Sequence, residues 1–296
     1  MKPVKTHIYF ADKHHNTLLM TAIANKDIEL CKNLLKDGSD PNELSEKTAL
    51  IYAAIYGCDD ISSLLLKNGA NPNLLDNSNK NPLTWASRYG HVSICEQLLE
   101  HNINLDHQDQ SGSTALMEAS ENGHVLVCNM LLKRGANSNL TEISCQYTAL
   151  QFAVKFGFLD VCKELLSAGT DPNISDYNEI TALINASKLG HLEIIAELIK
   201  VDANVNCQDF FGDTALHKAA RVKHLEIAKY LIEKMSNENI LILNEDEKSA
   251  LQVCGYPTKE DGNIDDWLIE DEPREEWSED KEAFCSYMET ILSDVL

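Results

Sequence analysis

A threonine-alanine-leucine tripeptide recurs along this 296-residue chain at a near-constant interval. Complete copies and looser variants begin at residues 17, 48, 81, 114, 148, 181, 214 and 249, so successive copies are 31, 33, 33, 34, 33, 33 and 35 residues apart. A unit of this length cannot bury an apolar face alone, and such units become stable by stacking on their neighbours. The period therefore predicts a repeat protein whose hydrophobic core runs from one unit to the next.

Each copy has further matched positions, and the fourth copy shows them clearly. After Thr114 come Ala119, the pair Gly123-His124, the pair Leu131-Leu132 and the triplet Gly135-Ala136-Asn137. In this pattern the chain resembles the ankyrin repeat family. The resemblance implies an all-α repeat solenoid of helix-turn-helix units with β-hairpin fingers. We expect about seven repeats and a partial eighth within residues 1–254, followed by an acidic linker and an amphipathic C-terminal helix in residues 255–296.

The repeated residues predict distinct local structures. A threonine such as Thr48 can cap the first helix, and Gly57 lies where that helix should end in a left-handed turn. The leucine pair of the second helix should be buried, so truncating Leu132 to Ala is expected to cost about 2 to 5 kcal/mol. Terminal units meet water on one face and should diverge, as Lys26-Asp27 and Met235-Ser236-Asn237 do.

Cysteine and histidine also recur in successive repeats, which raises the question of metal binding. The cysteines share one position, three residues before the first leucine of the pair, where other repeats have Ser62 or Ala228. A small packing residue explains this position better than a metal or redox role, and a reducing compartment follows. The histidines are a whole repeat apart, too far to surround an ion, so we interpret them as helix-terminal hydrogen-bonding groups. We expect no metal and no cofactor. The residues are Cys31, Cys95, Cys128 and Cys162, and His91, His124, His191 and His224.

No common catalytic motif is present. The sequence contains no P-loop, Gly-x-Gly-x-x-Gly, His-Glu-x-x-His or Gly-x-Ser-x-Gly. Residues 245–296 are too few for an ordinary catalytic domain, although an improvised site there is an alternative. We expect no enzymatic activity.

Charge and hydropathy narrow the class of partner. The net charge of −22 disfavours nucleic acid, because phosphates would be repelled over most of the surface. No stretch is long and apolar enough to span a bilayer, residues 1–10 lack the apolar core of a signal peptide, and no basic amphipathic helix suggests membrane contact. We expect a monomeric cytoplasmic protein.

The resemblance implies protein binding through the concave face of the first helices. The two columns that follow the small residues of those helices read Tyr, Tyr, Asn, Phe, Leu, Val and Ile, Arg, Glu, Lys, Lys, Arg. Aromatic and arginine side chains are enriched among binding hot spots, and cations stand out in so acidic a chain. We expect a protein partner with apolar anchors and an acidic flank; alternatively, the aromatic residues complete the packing between repeats and the cations form a solvated face. The predicted residues are Tyr56, Trp85, Arg88, Tyr89, Asn122, Lys155, Phe156, Lys188, Leu189 and Arg221.

The finger tips offer a second candidate surface. Tyr177 and the pair Phe210-Phe211 occupy positions where polar residues and glycine are usual. Exposed aromatic residues suggest a contact with a partner, and the alternative is that they fold back against the next finger.

The end of the sequence is strongly acidic. Residues 245–296 contain 17 Asp and Glu but only four Lys and Arg. An amphipathic helix is predicted from Ser278 onwards, and it either caps the stack or binds a partner or a second copy. The acidic segment could also compete with a ligand for the basic column.

Residues 275–279 read EExxE, which resembles the translocation signal of effectors delivered by bacterial type IV secretion. The expected function is therefore non-enzymatic protein binding by an effector that is secreted into host cell cytoplasm. The alternative is an intracellular scaffold or regulatory subunit that is not secreted.

Overall fold

The computed structural model describes residues 17–253, 286–288 and 290–291. The chain divides into two compact units, residues 1–153 and 154–296, whose described parts we call the N-terminal unit and the C-terminal unit. The predicted acidic linker, the Ser278 cap and the EExxE motif lie outside the described residues.

The described residues form pairs of short helices, which confirms the all-α repeat fold. The first helices of the repeats are α1 (Leu18–Ala24), α3 (Ala49–Tyr56), α5 (Pro82–Arg88), α7 (Ala115–Glu121), α9 (Ala149–Lys155), α11 (Ala182–Leu189) and α13 (Ala215–Arg221). The second helices are α2 (Ile28–Lys36), α4 (Asp59–Lys67), α6 (Val92–Leu99), α8 (Val125–Lys133), α10 (Leu159–Ser167), α12 (Leu192–Lys200) and α14 (Leu225–Lys234). Two short helices follow, α15 (Asn237–Ile240) and α16 (Ala250–Val253).

Equivalent helices pack against one another within each unit. In the N-terminal unit α1, α3, α5 and α7 form one layer and α2, α4, α6 and α8 form the other. In the C-terminal unit α11 packs on α13, α13 on α16, and α10 on α12. The first helices approach closely because their facing residues are small and fully buried, as Ala53 and Ala54 are.

The first helices begin at a capping side chain, as the sequence predicts. The Thr48 hydroxyl accepts a hydrogen bond from the Ile51 amide at 3.3 Å, and Asn81 does the same for the Thr84 amide at 2.8 Å. In repeats five and eight, the third residue of the helix also bonds to the backbone of the capping residue. The Gln151 side chain accepts a hydrogen bond from the Thr148 amide, and the Gln252 side chain accepts one from the Ser249 amide. These reciprocal bonds satisfy two amides that the helix itself leaves unpaired.

In α8 the two leucines of the pair differ in burial, and the prediction for Leu132 is wrong. Leu131 is fully buried, whereas Leu132 is only partly buried. The same holds for Leu65 and Leu66. One leucine points between the two helix layers, and consecutive helical residues are about 100° apart, so the next residue lies at the edge of the core.

The fingers are hydrogen-bonded turns, and no β-strand occurs between residues 17 and 253. A backbone bond closes each turn, as from the Asp109 amide to the Ser113 carbonyl at 3.0 Å. Neighbouring fingers are also joined, as from the Gln110 amide to the Ser78 carbonyl at 3.1 Å. The fingers are therefore linked along each unit by single backbone hydrogen bonds.

The predicted C-terminal helix is described only in part. Residues 286–288 and 290–291 are helical, and Met288 is fully buried. The Lys229 ammonium lies 5.5 Å from the centre of the Tyr287 ring, which brings this segment against α14. Ile291, another predicted apolar residue, is partly buried, and the remaining ones lie outside the described part of the chain.

Candidate protein-binding surface

Large apolar side chains are exposed at the C-terminal ends of several first helices. In the N-terminal unit Tyr56 and Tyr89 are 40% and 45% exposed. Asn122 takes the same position in the N-terminal unit as an exposed polar residue, and in the C-terminal unit Phe156 and Leu189 are 48% and 41% exposed. Because the position is the same in each repeat, the side chains of adjacent repeats lie beside one another within a unit.

The N-terminal unit has an aromatic patch, which we define as Tyr52, Tyr56, Trp85 and Tyr89. Tyr52 and Tyr56 stack with ring centres 6.1 Å apart and planes at 19°, and Trp85 and Tyr89 stack at 6.0 Å and 11°. The two pairs belong to helices α3 and α5, which pack together. The two stacked pairs therefore lie on neighbouring helices, and stacking limits the conformational freedom of their rings.

Trp85 is held in place by its own unit. Its indole N–H donates to the Asp76 carboxylate at 2.8 Å. The ammonium groups of Lys47 and Lys80 lie 5.6 and 5.2 Å from the centre of its ring. The tryptophan therefore orients the patch, while Tyr56 and Tyr89 provide most of its exposed ring surface.

Arg88, whose side chain is 40% exposed, forms an ion pair with a buried carboxylate of the next repeat. Its guanidinium donates to Glu118 at 2.8 Å, and Lys80 pairs with Glu118 and lies 3.2 Å from Asp109. Both carboxylates are almost fully buried. Burial alone would raise the pKa of Asp109, but hydrogen bonds from Ser111 and Ser113 and the charge of Lys80 hold it below its ordinary value. Two cations and two carboxylates leave this cluster with no net charge.

In the C-terminal unit the predicted cations differ in exposure. Lys155 is exposed, with its ammonium 5.9 Å from the centre of the Phe156 ring, and Lys188 is partly buried. The Arg221 side chain is only 14% exposed, and its Nε donates to Asp213 at 2.7 Å. Arg221 is therefore not the exposed cation that the sequence column suggests, because a buried carboxylate of its own repeat holds it.

Asp213 is the centre of a second buried charge cluster. Besides Arg221, it bonds to Lys218 at 3.1 Å and to the Asn244 amide at 2.9 Å. Burial would raise the pKa of Asp213, but the Arg221 bond, the Lys218 charge and the Asn244 bond together lower it to about 2. Asn244 belongs to the next finger, so the cluster ties the seventh repeat to the eighth.

Aromatic residues are exposed at the finger tips of the C-terminal unit. Tyr177 is 58% exposed, and Phe210 and Phe211 are 60% and 40% exposed. The two phenylalanine rings meet edge to face at 5.5 Å, and the Phe210 amide bonds to the Asn178 carbonyl of the neighbouring finger. The fingers are paired through their backbones, yet the rings stay largely in solvent.

A polar side chain that sequence reasoning missed organises six of the fingers. In the third repeat, the Asp76 carboxylate accepts hydrogen bonds from the Ser78 and Lys80 amides, each at 2.9 Å. For the equivalent Glu142, burial raises the pKa, but hydrogen bonds such as the one from Ser144 outweigh it. The pKa of Glu142 is therefore lowered. An acidic residue or asparagine recurs five or six residues before these helix caps, and this recurrence could have identified the position from the sequence. The residues are Asp76, Asp109, Glu142, Asp176, Asp209 and Asn244.

His91 and His124 are hydrogen-bonding groups at helix ends, as predicted, and their partners belong to the preceding repeat. His91 Nε2 lies 3.3 Å from the Ile55 carbonyl, and His124 Nε2 lies 3.0 Å from the Arg88 carbonyl. The repeated cysteines are fully buried, and burial raises the pKa of Cys95 to about 12. Within the described ranges, no three His, Cys, Asp or Glu side chains come together as metal ligands would.

Stacked helix pairs with side chains displayed once per repeat define a class of protein, the helical repeat protein that binds other proteins. The chain belongs to the ankyrin repeat family: four segments, residues 4–76, 63–142, 103–176 and 150–244, match the family described as "Ankyrin repeats (3 copies)". Members of this family are protein-protein interaction modules that are typically non-catalytic.

Two solved structures resemble the chain over most of their own length. The ankyrin repeat domain of Bcl-3, a member of the IkappaB protein family, is 24% identical with a TM-score of 0.65, and the match covers 72% of this chain and 98% of that domain. The human ASB11 ankyrin repeat domain is 26% identical with a TM-score of 0.63, covering 72% and 94%.

A curated relative matches a shorter part of the chain. The E3 ubiquitin-protein ligase hecd-1 of Caenorhabditis elegans is 40% identical over 73 residues, which are 25% of this chain and 3% of that protein. The chain therefore spans only a small fraction of that relative's length. Among the helices that the structure describes, none has the length and apolarity needed to cross a membrane.

Proposed function

We propose that this chain binds a segment of another protein through the exposed residues at the ends of its first helices. The observation that carries the proposal is the recurrence of large, exposed apolar side chains at one position of successive repeats, with Tyr56 and Tyr89 in the N-terminal unit. Exposed apolar groups in a cluster favour association with a partner. The stacked rings are already ordered, so little conformational entropy is lost when a ligand covers them.

The chemistry of the surface suggests a partner with apolar anchors and acidic side chains. Lys155 and Lys188 stand beside Phe156 and Leu189, and Lys47 stands beside the aromatic patch, in a chain whose net charge is −22. Such local cations favour an acidic segment by electrostatic complementarity. Arg88 and Arg221 are paired with buried carboxylates, and Lys155 is exposed. The exposed Tyr177, Phe210 and Phe211 provide a second apolar contact on the fingers.

A phage-displayed library of random peptides, selected on the immobilised full chain, tests this proposal. We expect enriched peptides to combine aromatic or aliphatic residues with Asp and Glu. Tyr56→Ser and Tyr89→Ser should each weaken a selected peptide about 30-fold, because truncating a hot spot costs about 2 kcal/mol. Binding is measured by titration calorimetry.

The matched control is Leu126→Ser. Leu126 is 69% exposed but belongs to the second helix α8, away from the aromatic patch. It should leave peptide affinity unchanged. Failure to enrich any peptide would argue against the binding function, whereas equal affinity of the tyrosine variants and the control would place the binding site elsewhere.

We further propose that this binding serves a secreted effector that acts in host cytoplasm, with a scaffold in its own cell as the alternative. The support is the sequence EExxE at residues 275–279 within an acidic segment. A reporter fused to the chain should reach host cells only when the three motif glutamates are intact. Changing them to Gln should abolish transfer, while changing Glu270, Glu272 and Glu282 to Gln should not; equal transfer by both variants would favour the scaffold.

A further inference from the structure

His217 links the last complete repeat to the partial repeat that follows it. Its side chain is 1% exposed, at the third position of helix α13. Nδ1 lies 3.2 Å from the Thr214 amide and 2.8 Å from the Thr214 hydroxyl, and Nε2 lies 3.0 Å from the Lys248 carbonyl. The imidazole therefore holds the start of α13 and, through Lys248, the finger that leads into α16.

These contacts require one neutral form of the ring. A backbone amide can only donate, so Nδ1 must accept the bond from Thr214; a carbonyl can only accept, so Nε2 must carry the proton that bonds to Lys248. A second proton on Nδ1 would displace the bond from the Thr214 N–H, and the Thr214 hydroxyl at 2.8 Å would be the acceptor left to it. Protonation of His217 therefore breaks the cap of α13 and places a charge in a buried site.

The surrounding charges do not rescue the protonated form. Burial is the largest influence and lowers the pKa of His217; the Lys248 bond and the Asp213 charge raise it, and the charges of Arg221 and Lys218 lower it. Asp213 is already bonded to both cations, so its charge is shared. The net direction is a pKa below the ordinary value of 6.5.

The helices packed against α13 carry the other titratable groups near His217. Helix α16 has none, and α11 has Lys188. Helix α14 follows His224, whose ring bonds to the Lys188 carbonyl and whose pKa burial lowers. The ionisable side chains along α14 are Glu226, Lys229, Tyr230, Glu233 and Lys234.

We propose that His217 is a pH-sensitive latch, and that its protonation in mild acid releases the finger at residues 244–248 and helix α16 from α13. Helix α16 packs against α13, and its buried residues include Ala250 and Val253. Release exposes the face of α13 that α16 covers. The rest of the C-terminal unit stays folded, because the remaining repeats do not depend on this ring.

Hydrogen exchange of the full chain, with rates corrected for the intrinsic effect of pH, tests the latch. Protection of the amides of Asn244, Lys248 and Val253 should fall by up to about 30-fold between pH 7.5 and pH 5, since each pH unit below about 6.5 changes the equilibrium up to tenfold. Protection in α11 and α12 should change less. An unchanged ratio between the two regions would overturn the proposal.

A variant that replaces only the titratable group of the latch is His217→Gln. Gln151 and Gln252 occupy the same helix position in other repeats and accept the same capping bond at 2.8 Å. His217→Gln should therefore keep the cap and abolish the acid-induced loss of protection. His191→Gln, which removes a partly buried histidine of the same unit, should keep that loss; the reverse result would assign the pH dependence to His191.

A direct measurement covers the case in which the glutamine variant does not fold. Nitrogen-15 NMR of the wild-type imidazole should show Nε2 protonated and Nδ1 unprotonated at pH 7.5, with titration below pH 6.5. The opposite tautomer, or a pKa at or above that of a free histidine, would contradict the latch.

Discussion

The imidazole of His124 lies against Gly90 of the preceding repeat, and a Cβ added to that glycine would come within 2.5 Å of the ring. Gly90 has φ of 70°, and His124 Nε2 bonds to the Arg88 carbonyl just before it. The glycine thus has two roles: it ends α5 in a left-handed turn, and it leaves room for the next repeat's histidine. The Gly-His pairs of the sequence join consecutive repeats rather than residues of one repeat.

Gly90→Ala should lower the free energy of unfolding by more than Gly69→Ala does. Both glycines have positive φ, at 70° and 85°, so each substitution places Ala in a left-handed conformation that costs about 1 to 2 kcal/mol. A Cβ at Gly69 meets nothing within 4 Å, whereas at Gly90 it must displace His124. Urea denaturation of the two variants measures the difference, and equal losses would show that the ring moves away without cost.

Leu131→Ala should destabilise the N-terminal unit by about 2 to 5 kcal/mol, and Leu132→Ala by clearly less. Leu131 is fully buried and its removal leaves a cavity, while Leu132 is already partly in solvent. Thermal and urea unfolding of the pair provide an internal control, since both changes delete the same atoms from α8. A larger effect of Leu132→Ala would contradict the packing described for this helix.

Much of the fold follows from local rules that recur at a fixed period. Thr48, Gly57 and the small residues at 53 and 54 each have one structural role, so their positions predict the helices, the turns and the close packing. The burial of Leu131 over Leu132 could not be predicted because both fit an amphipathic helix. The orientation of each helix against its neighbours decides it.

The candidate site was predictable in its exposed residues but not in its ion pairs. Tyr56 and Tyr89 recur in one column and are exposed. Arg88 and Arg221 occur in the adjacent column, yet their partners Glu118 and Asp213 come from other parts of the repeat pattern. A column of like charges in a sequence does not show whether buried carboxylates lie beneath it.

Arg88→Glu should lower the melting temperature, whereas Lys155→Glu should change it little. The first substitution removes the cation at 2.8 Å from buried Glu118 and adds a carboxylate, while Lys155 is exposed. Thermal unfolding by circular dichroism compares them, and an Arg88→Glu variant as stable as wild type would mean that Lys80 alone neutralises Glu118.

Asp213→Asn should destabilise the C-terminal unit by about 3 to 5 kcal/mol at neutral pH, because it leaves buried cations without part of their compensation. The pKa of Asp213 is lowered to about 2, so its contribution is complete above the ordinary pKa of 3.8 and is lost as pH falls towards 2. The difference between wild type and variant should therefore shrink over that range. Asp171→Asn, an exposed change in the same unit, is the control; a gap independent of pH would show that Asp213 acts without its charge.

Neutralising the acidic segment should tighten the binding of acidic peptides at low salt if that segment competes for the lysines. The design replaces Asp and Glu between residues 260 and 282 by Asn and Gln and keeps residues 286–291, because Met288 is buried and truncation would remove its contacts. The gain should disappear in high salt, since screening weakens attraction between exposed charges. Calorimetry at two ionic strengths compares the peptide affinities of the wild-type chain and the neutralised variant. The same gain with an uncharged peptide would point to a steric effect, and no gain would indicate that the segment does not reach the binding surface.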